Sequence, residues 1–94
     1  MSAPVAERVD CFSVFSTADP SALPRIFEVF SLFGLVPARC HAARHDDDPE
    51  QLVVDLQVDG LPEGEALRLT KRLGRVVTVT RVLWSERRRS TIAA

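Results

Sequence analysis

The sequence predicts an α+β domain, a ferredoxin-like βαββαβ sandwich in which a four-stranded antiparallel sheet carries two helices on one face. Three observations predict it. Two segments, beginning at Ser21 and near Pro62, repeat their apolar residues at helical spacing. Each is flanked by runs that alternate polar with apolar residues or are dense in β-branched ones. A short acidic connection ending in Pro49 joins the middle two runs, which suits a hairpin.

Taken in order, Asp10–Ser16 reads as the first strand, with Phe12 and Val14 on one face and Cys11, Ser13 and Phe15 on the other. Thr17-Ala18-Asp19-Pro20 ends it with turn chemistry. Leu23, Ile26, Phe27, Phe30 and Phe33 then form a helical stripe. A proline deep in a helix loses a hydrogen bond and clashes with the preceding turn, so Pro24 belongs in the first turn. Ser21 fits as N-cap, its hydroxyl accepting from a free amide, and Gly34 fits as a left-handed stop.

The second strand is expected over Val36–His45, and Asp46-Asp47-Asp48-Pro49 reverses the chain. The third runs from Gln51 to Val58, with Leu52, Val54, Leu56 and Val58 on one face. After Asp59-Gly60-Leu61-Pro62 a second helix extends to about Leu73, with Ala66, Leu69 and Leu73 as its stripe. Glu63 and Glu65 near its start and Lys71, Arg72 and Arg75 near its end match the helix dipole; Gly74 supplies the stop. Arg75–Trp84 is the last strand. The helices should bury Phe12, Val14, Leu52, Val54 and Leu56 beneath Leu23, Phe27, Phe30, Leu69 and Leu73. The other sheet face, carrying Phe15 and Val53, is patchy and hints at self-association.

Ninety-four residues, 46% of them apolar, suit one core. No apolar run is long enough to span a membrane, and no apolar stretch precedes the charges at Glu7 and Arg8. With only Cys11 and Cys40, a disulfide framework is not expected, and the chain reads as reduced and cytoplasmic. A net charge of −1 argues against a nucleic-acid partner recognised through its phosphates. Residues 1–84 hold nine Lys/Arg and twelve Asp/Glu, giving −3, whereas residues 85–94 hold Arg87, Arg88 and Arg89 against Glu86, giving +2. The expected division is therefore an N-terminal extension over 1–9, the domain over 10–84 and a disordered basic tail over 85–94.

No catalytic motif and no cofactor signature emerges. Cys40, His41, His45 and Asp46-Asp47-Asp48 carry metal-ligand chemistry, but Cys40 and His41 point to opposite faces of a strand, and His41 and His45 lie far apart along it. The expectation is no metal. RNA-binding modules of this topology stack bases on aromatics of the first and third strands, and Leu52-Val53-Val54-Asp55-Leu56 has none. Copper chaperones of this topology need paired cysteines in the first loop, where Thr17-Ala18-Asp19-Pro20 has none.

The string Phe12-Ser13-Val14-Phe15, a loop, Ala22-Leu23-Pro24-Arg25-Ile26, then Phe30-Ser31 and Gly34 resembles an ACT domain. It is most similar to the version in small subunits of acetolactate (acetohydroxyacid) synthase, and Leu73-Gly74-Arg75-Val76-Val77-Thr78-Val79 resembles that version's ending. The resemblance implies a non-catalytic regulatory subunit of branched-chain amino-acid biosynthesis. Such a subunit dimerises by joining sheets edge to edge and binds a thiamine-diphosphate-dependent catalytic large subunit. Many such subunits sense valine at the dimer interface, the carboxylate held by free amides at the start of the first helix.

Under that resemblance the ligand-binding positions are Ala18, Asp19, Ser21, Ala22, Leu23 and Val36. Valine-sensitive members have asparagine, glycine and asparagine where this chain has Ala18, Ser21 and Val36, so weak or absent valine binding is expected. Asp19 is open to an ammonium, which keeps the alternative of a free-standing sensor of an amino acid or other small ligand. The second strand is the expected sheet edge, and Ala38, Arg39, His41 and Ala42 its homodimer interface.

Overall fold

The structure, a computed structural model, describes residues 6–90. Its elements follow the expected order: β1 Ala6–Thr17, α1 Ala22–Leu32, β2 Arg39–Arg44, β3 Gln51–Asp59, α2 Glu65–Leu73 and β4 Val79–Ser90. The sheet order is β2-β3-β1-β4 with every pair antiparallel, so the crossover strands β1 and β3 lie in the middle. Alternation along β1 and β3 delivers Phe12, Val14, Val54, Leu56 and Val58 to one face. There they form a single core with Ile26, Val29 and Phe30 of α1 and Ala66, Leu69 and Leu73 of α2, which places both helices on that face.

Several boundaries differ from expectation. The α1 stripe turns Ala22, Ile26, Val29 and Phe30 inward, and Phe27, about 100° further round than Ile26, is 41% exposed rather than buried. Leu23 and Leu52 are only half-buried. β2 begins at Arg39, because Pro37 has no amide to offer a ladder, and Val36 stands 87% exposed before it. α2 begins at Glu65, where Gly64 takes a left-handed φ of 86° that β-carbon-bearing residues resist. Residues Arg75–Thr78 turn rather than extend: the amide of Val76 donates to Leu73 and that of Val79 to Val76. Gly74 ends α2 in right-handed geometry, because this turn winds on in the same sense.

The greatest difference is at the ends. β4 continues through Ser90 and β1 starts at Ala6, so residues 6–9 and 85–90 are paired strand and not extension or disordered tail. Residues 1–5 and 91–94 lie outside the described residues. Asp10 explains the added length. It is wholly buried, and its carboxylate accepts from the Trp84 indole Nε1 at 2.9 Å and from Arg8 Nε at 3.2 Å. One polar side chain thus ties β1 to β4.

Candidate functional site

The β1–α1 turn closes on itself. Ala18 donates its amide to the Glu50 carbonyl at 2.8 Å, and Ala22 donates to the Asp19 carbonyl at 2.9 Å. Asp19 Oδ1 accepts from the Ser21 hydroxyl at 2.6 Å and from the Ser21 amide at 2.8 Å. Ser21 is therefore not an N-cap that accepts from the helix; its hydroxyl donates, and Asp19 supplies the carboxylate. The Ser21 hydroxyl first, then its amide, and the nearby Arg25 charge hold the Asp19 carboxyl below its ordinary value. The amides of Ser21 and Ala22 are occupied and Pro24 has none, so of the donors a bound carboxylate would use only that of Leu23 remains.

The predicted ligand residues do not all converge. Thr17, Ala18, Asp19, Pro20, Arg44 and Glu50 line an open depression of about 360 Å³. Ala22 is wholly buried in the core and Leu23 half-buried, so neither offers its side chain to that depression. Val36 lies beyond the other end of α1, about 16 Å of helix away. Arg44 and Glu50 were missed by the sequence, because it takes the β1–β3 and β2–β3 registers together to bring them beside the first turn.

β2 is an edge strand whose six residues are all exposed. The His45 amide donates to the Gln51 carbonyl at 2.8 Å, which sets the alternation. His41 and Ala43 turn their main-chain groups toward β3, while Cys40, Ala42 and Arg44 turn theirs outward. Ala38 donates to the Gln57 carbonyl at 2.7 Å just before the strand begins. Arg39 and His41 lie on the sheet face away from the helices, in the rows of Gln57 and Asp55.

Cys40 pairs with Leu56 and His41 with Asp55, so the two do point to opposite faces. Partial desolvation first, then the Asp55 charge, raises the Cys40 thiol above its ordinary value and keeps it protonated. His45 Nδ1 accepts from the Asp47 amide. Among the described residues no three His, Cys, Asp or Glu side chains converge to hold an ion. Ser13 donates to Asp55 Oδ1 at 2.7 Å, and the carboxylate separates that hydroxyl from His41, an order that gives Ser13 no adjacent imidazole base. No helix among the described residues is long and apolar enough to cross a membrane.

The family model of the ACT-like domain matches residues 5–91. No curated protein matches the chain. Among solved structures, the chain is similar to the ACT domain of the GTP pyrophosphokinase of Chlorobium tepidum, at TM-score 0.70 and 14% identity over 84% of this chain and 99% of that one. It is also similar to the regulatory subunit of aspartate kinase from Thermus flavus, at 0.66 and 12%, covering 87% of this chain and 53% of that one. A third likeness is to the C-terminal domain of the MgtC protein from Mycobacterium tuberculosis, at 0.65 and 12%, over 92% and 93%. At such identities these likenesses speak for the fold alone.

Proposed function

The chain belongs to the ACT-like domain family, and from that premise we propose that it is a non-catalytic regulatory module that acts through assembly. It forms a homodimer along β2 and binds a catalytic chain, on the pattern of an acetolactate synthase small subunit, with weak or no response to valine. The observation that carries this reading is the contrast between two places. At the β1–α1 turn Ser21 and Ala22 have given their amides to Asp19 and only that of Leu23 remains, whereas the β2 edge keeps three residues' main-chain groups turned outward. A valine carboxylate would have to displace the Asp19 carboxylate, and the isolated chain has no asparagine amide to repay that loss. Mixing the protein with an acetolactate synthase large subunit should raise the synthase rate and leave it insensitive to valine. An unchanged rate removes that partner, and inhibition by valine overturns the closed turn.

A second reading, a free-standing sensor of a small ligand, draws support from the depression beside Asp19, Arg44 and Glu50, whose mixed charges suit a zwitterion. An antiparallel dimer through β2 would carry the partner's Val36 end toward this depression. Calorimetric titration with each amino acid distinguishes the readings: heat from any of them favours the sensor.

A further inference from the structure

A second concave surface lies on the helical layer, and no residue of β2 lines it. It is a groove of about 220 Å³ between α1 and the turn that follows α2. Arg25 stands on one wall, and Arg72 and Arg75 on the other. Between and beside them lie Leu32, 64% exposed, Val77, 87% exposed, and the half-buried Val76. Glu28 is the one acidic residue of the lining. Among the described residues none of the three arginines makes a close ion pair or a side-chain hydrogen bond, the Arg25 charge reaching Asp19 only at longer range. Elsewhere on the helices Arg68 is paired with Glu65 and stacked over Phe33, so an unpaired cluster is not the rule for this surface.

Charge at the end of α2 is partly explained by the helix dipole, which favours cations at Arg72 and Arg75. That account does not reach Arg25, near the start of the other helix, nor the two aliphatic side chains left in water among the guanidinium groups. A small anion would use the charges and leave Leu32 and Val77 wet. Arginine is enriched at protein-binding surfaces, and aliphatic side chains left exposed beside it call for a partner that brings apolar cover as well as negative charge.

We propose that this groove docks an acidic segment of a partner protein, its carboxylates meeting Arg25, Arg72 and Arg75 and its aliphatic side chains covering Leu32 and Val77. The proposal rests on the regulatory reading above and names the face that would meet another chain. Arginine forks bind carboxylates in bidentate fashion, and apolar cover around them excludes the water that would otherwise screen the pairs.

The test uses the full chain and a fluorescent peptide of alternating glutamate and leucine, with a glutamine-for-glutamate version as its control. Fluorescence anisotropy should show binding that weakens with salt and falls about tenfold or more in the triple variant R25Q/R72Q/R75Q. Amide shifts in the wild-type protein should map to Leu32, Val76 and Val77. Arg87→Gln, on β4, should bind as the wild type does, and thermal melts should show each variant folded. No binding up to about 1 mM peptide overturns the proposal. Equal binding of the glutamine peptide, shifts confined to other residues, or tighter binding of a single-stranded oligonucleotide each overturn it too. Concentration-dependent shifts at Leu32 and Val77 without peptide would show the groove filled by a second copy and also overturn it. Failure to activate a catalytic chain would strike the regulatory reading and leave these measurements standing; loss of peptide binding alone would remove the groove and leave the β2 edge.

Discussion

At the scale of single residues, two carboxylates organise the chain, and they do so in opposite surroundings. Asp10 is buried and held by Trp84 and Arg8, joining strands 74 residues apart in sequence. Asp19 is exposed and organises only its own turn, by taking the hydroxyl and amide of Ser21. Hydrogen bonds to the charged form favour that form, so the folded-state pKa of Asp19 lies below its unfolded value. The sign of the linkage follows. The turn gains whatever stability this interaction gives above the unfolded value of about 3.9, and loses it as pH falls through the lowered folded value. Carbon-detected NMR titration of the Asp19 carboxyl should therefore give a midpoint below that of a free aspartate. Asp19→Asn should remove the acid-range change at the Ser21 amide, and an ordinary midpoint in the wild type would show that Ser21 does not hold the carboxylate in solution.

At the scale of elements, the first helix shows what the sequence could and could not reveal. Its stop was legible, because Gly34 follows the apolar stripe and only a left-handed residue lets the chain leave there. Gly34 takes φ 69°, its amide donates to Ser31, and the Leu35 amide donates back to Phe30, so two carbonyls left over by the helix are satisfied. Its start was half legible. The Asp19-Pro20-Ser21 order marked a turn, but whether serine or aspartate acts as acceptor depends on side-chain directions that spacing does not encode. The last strand misled in the same way: Val76 and Val77 have strand propensity, yet two turn hydrogen bonds fix them in a turn lining the helical groove. Gly34→Ala should cost about 1–2 kcal/mol. No atom crowds a β-carbon placed there, so the whole cost is backbone conformation. Denaturant unfolding at unchanged m-value checks it, and a neutral result would mean that the helix ends differently in solution.

For the molecule as a whole, the decisive property is that β1 and β3 occupy the middle of the sheet and leave β2 as a short edge without helical cover. Alternation, β-branched density and the short acidic connection made the existence of four strands legible. They could not show the long β1–β4 ribbon, because the arginines of residues 87–89 look like a solvated tail until Asp10 and Trp84 are seen to hold the two strands together. Nor could they reveal the arginine groove, whose residues come from both helices and the turn after α2. The edge makes a sharp prediction, because neighbouring alanines on it face opposite ways. A two-fold axis at Ala42 would pair that residue with its own copy and set Cys40 opposite the partner's Arg44. It would also bring Arg39 beside the partner's acidic turn. Ala42 points its amide outward, so Ala42→Pro removes a bond between copies and none within the chain. Ala43 points its amide at Val53, so Ala43→Pro breaks the fold's own ladder at a cost of about 1–3 kcal/mol. Sedimentation should show Ala42→Pro as a folded monomer with a near wild-type melting midpoint, whereas Ala43→Pro should melt earlier. A dimer that survives Ala42→Pro unchanged would place the interface elsewhere, with β4, the other sheet margin, the next edge to test.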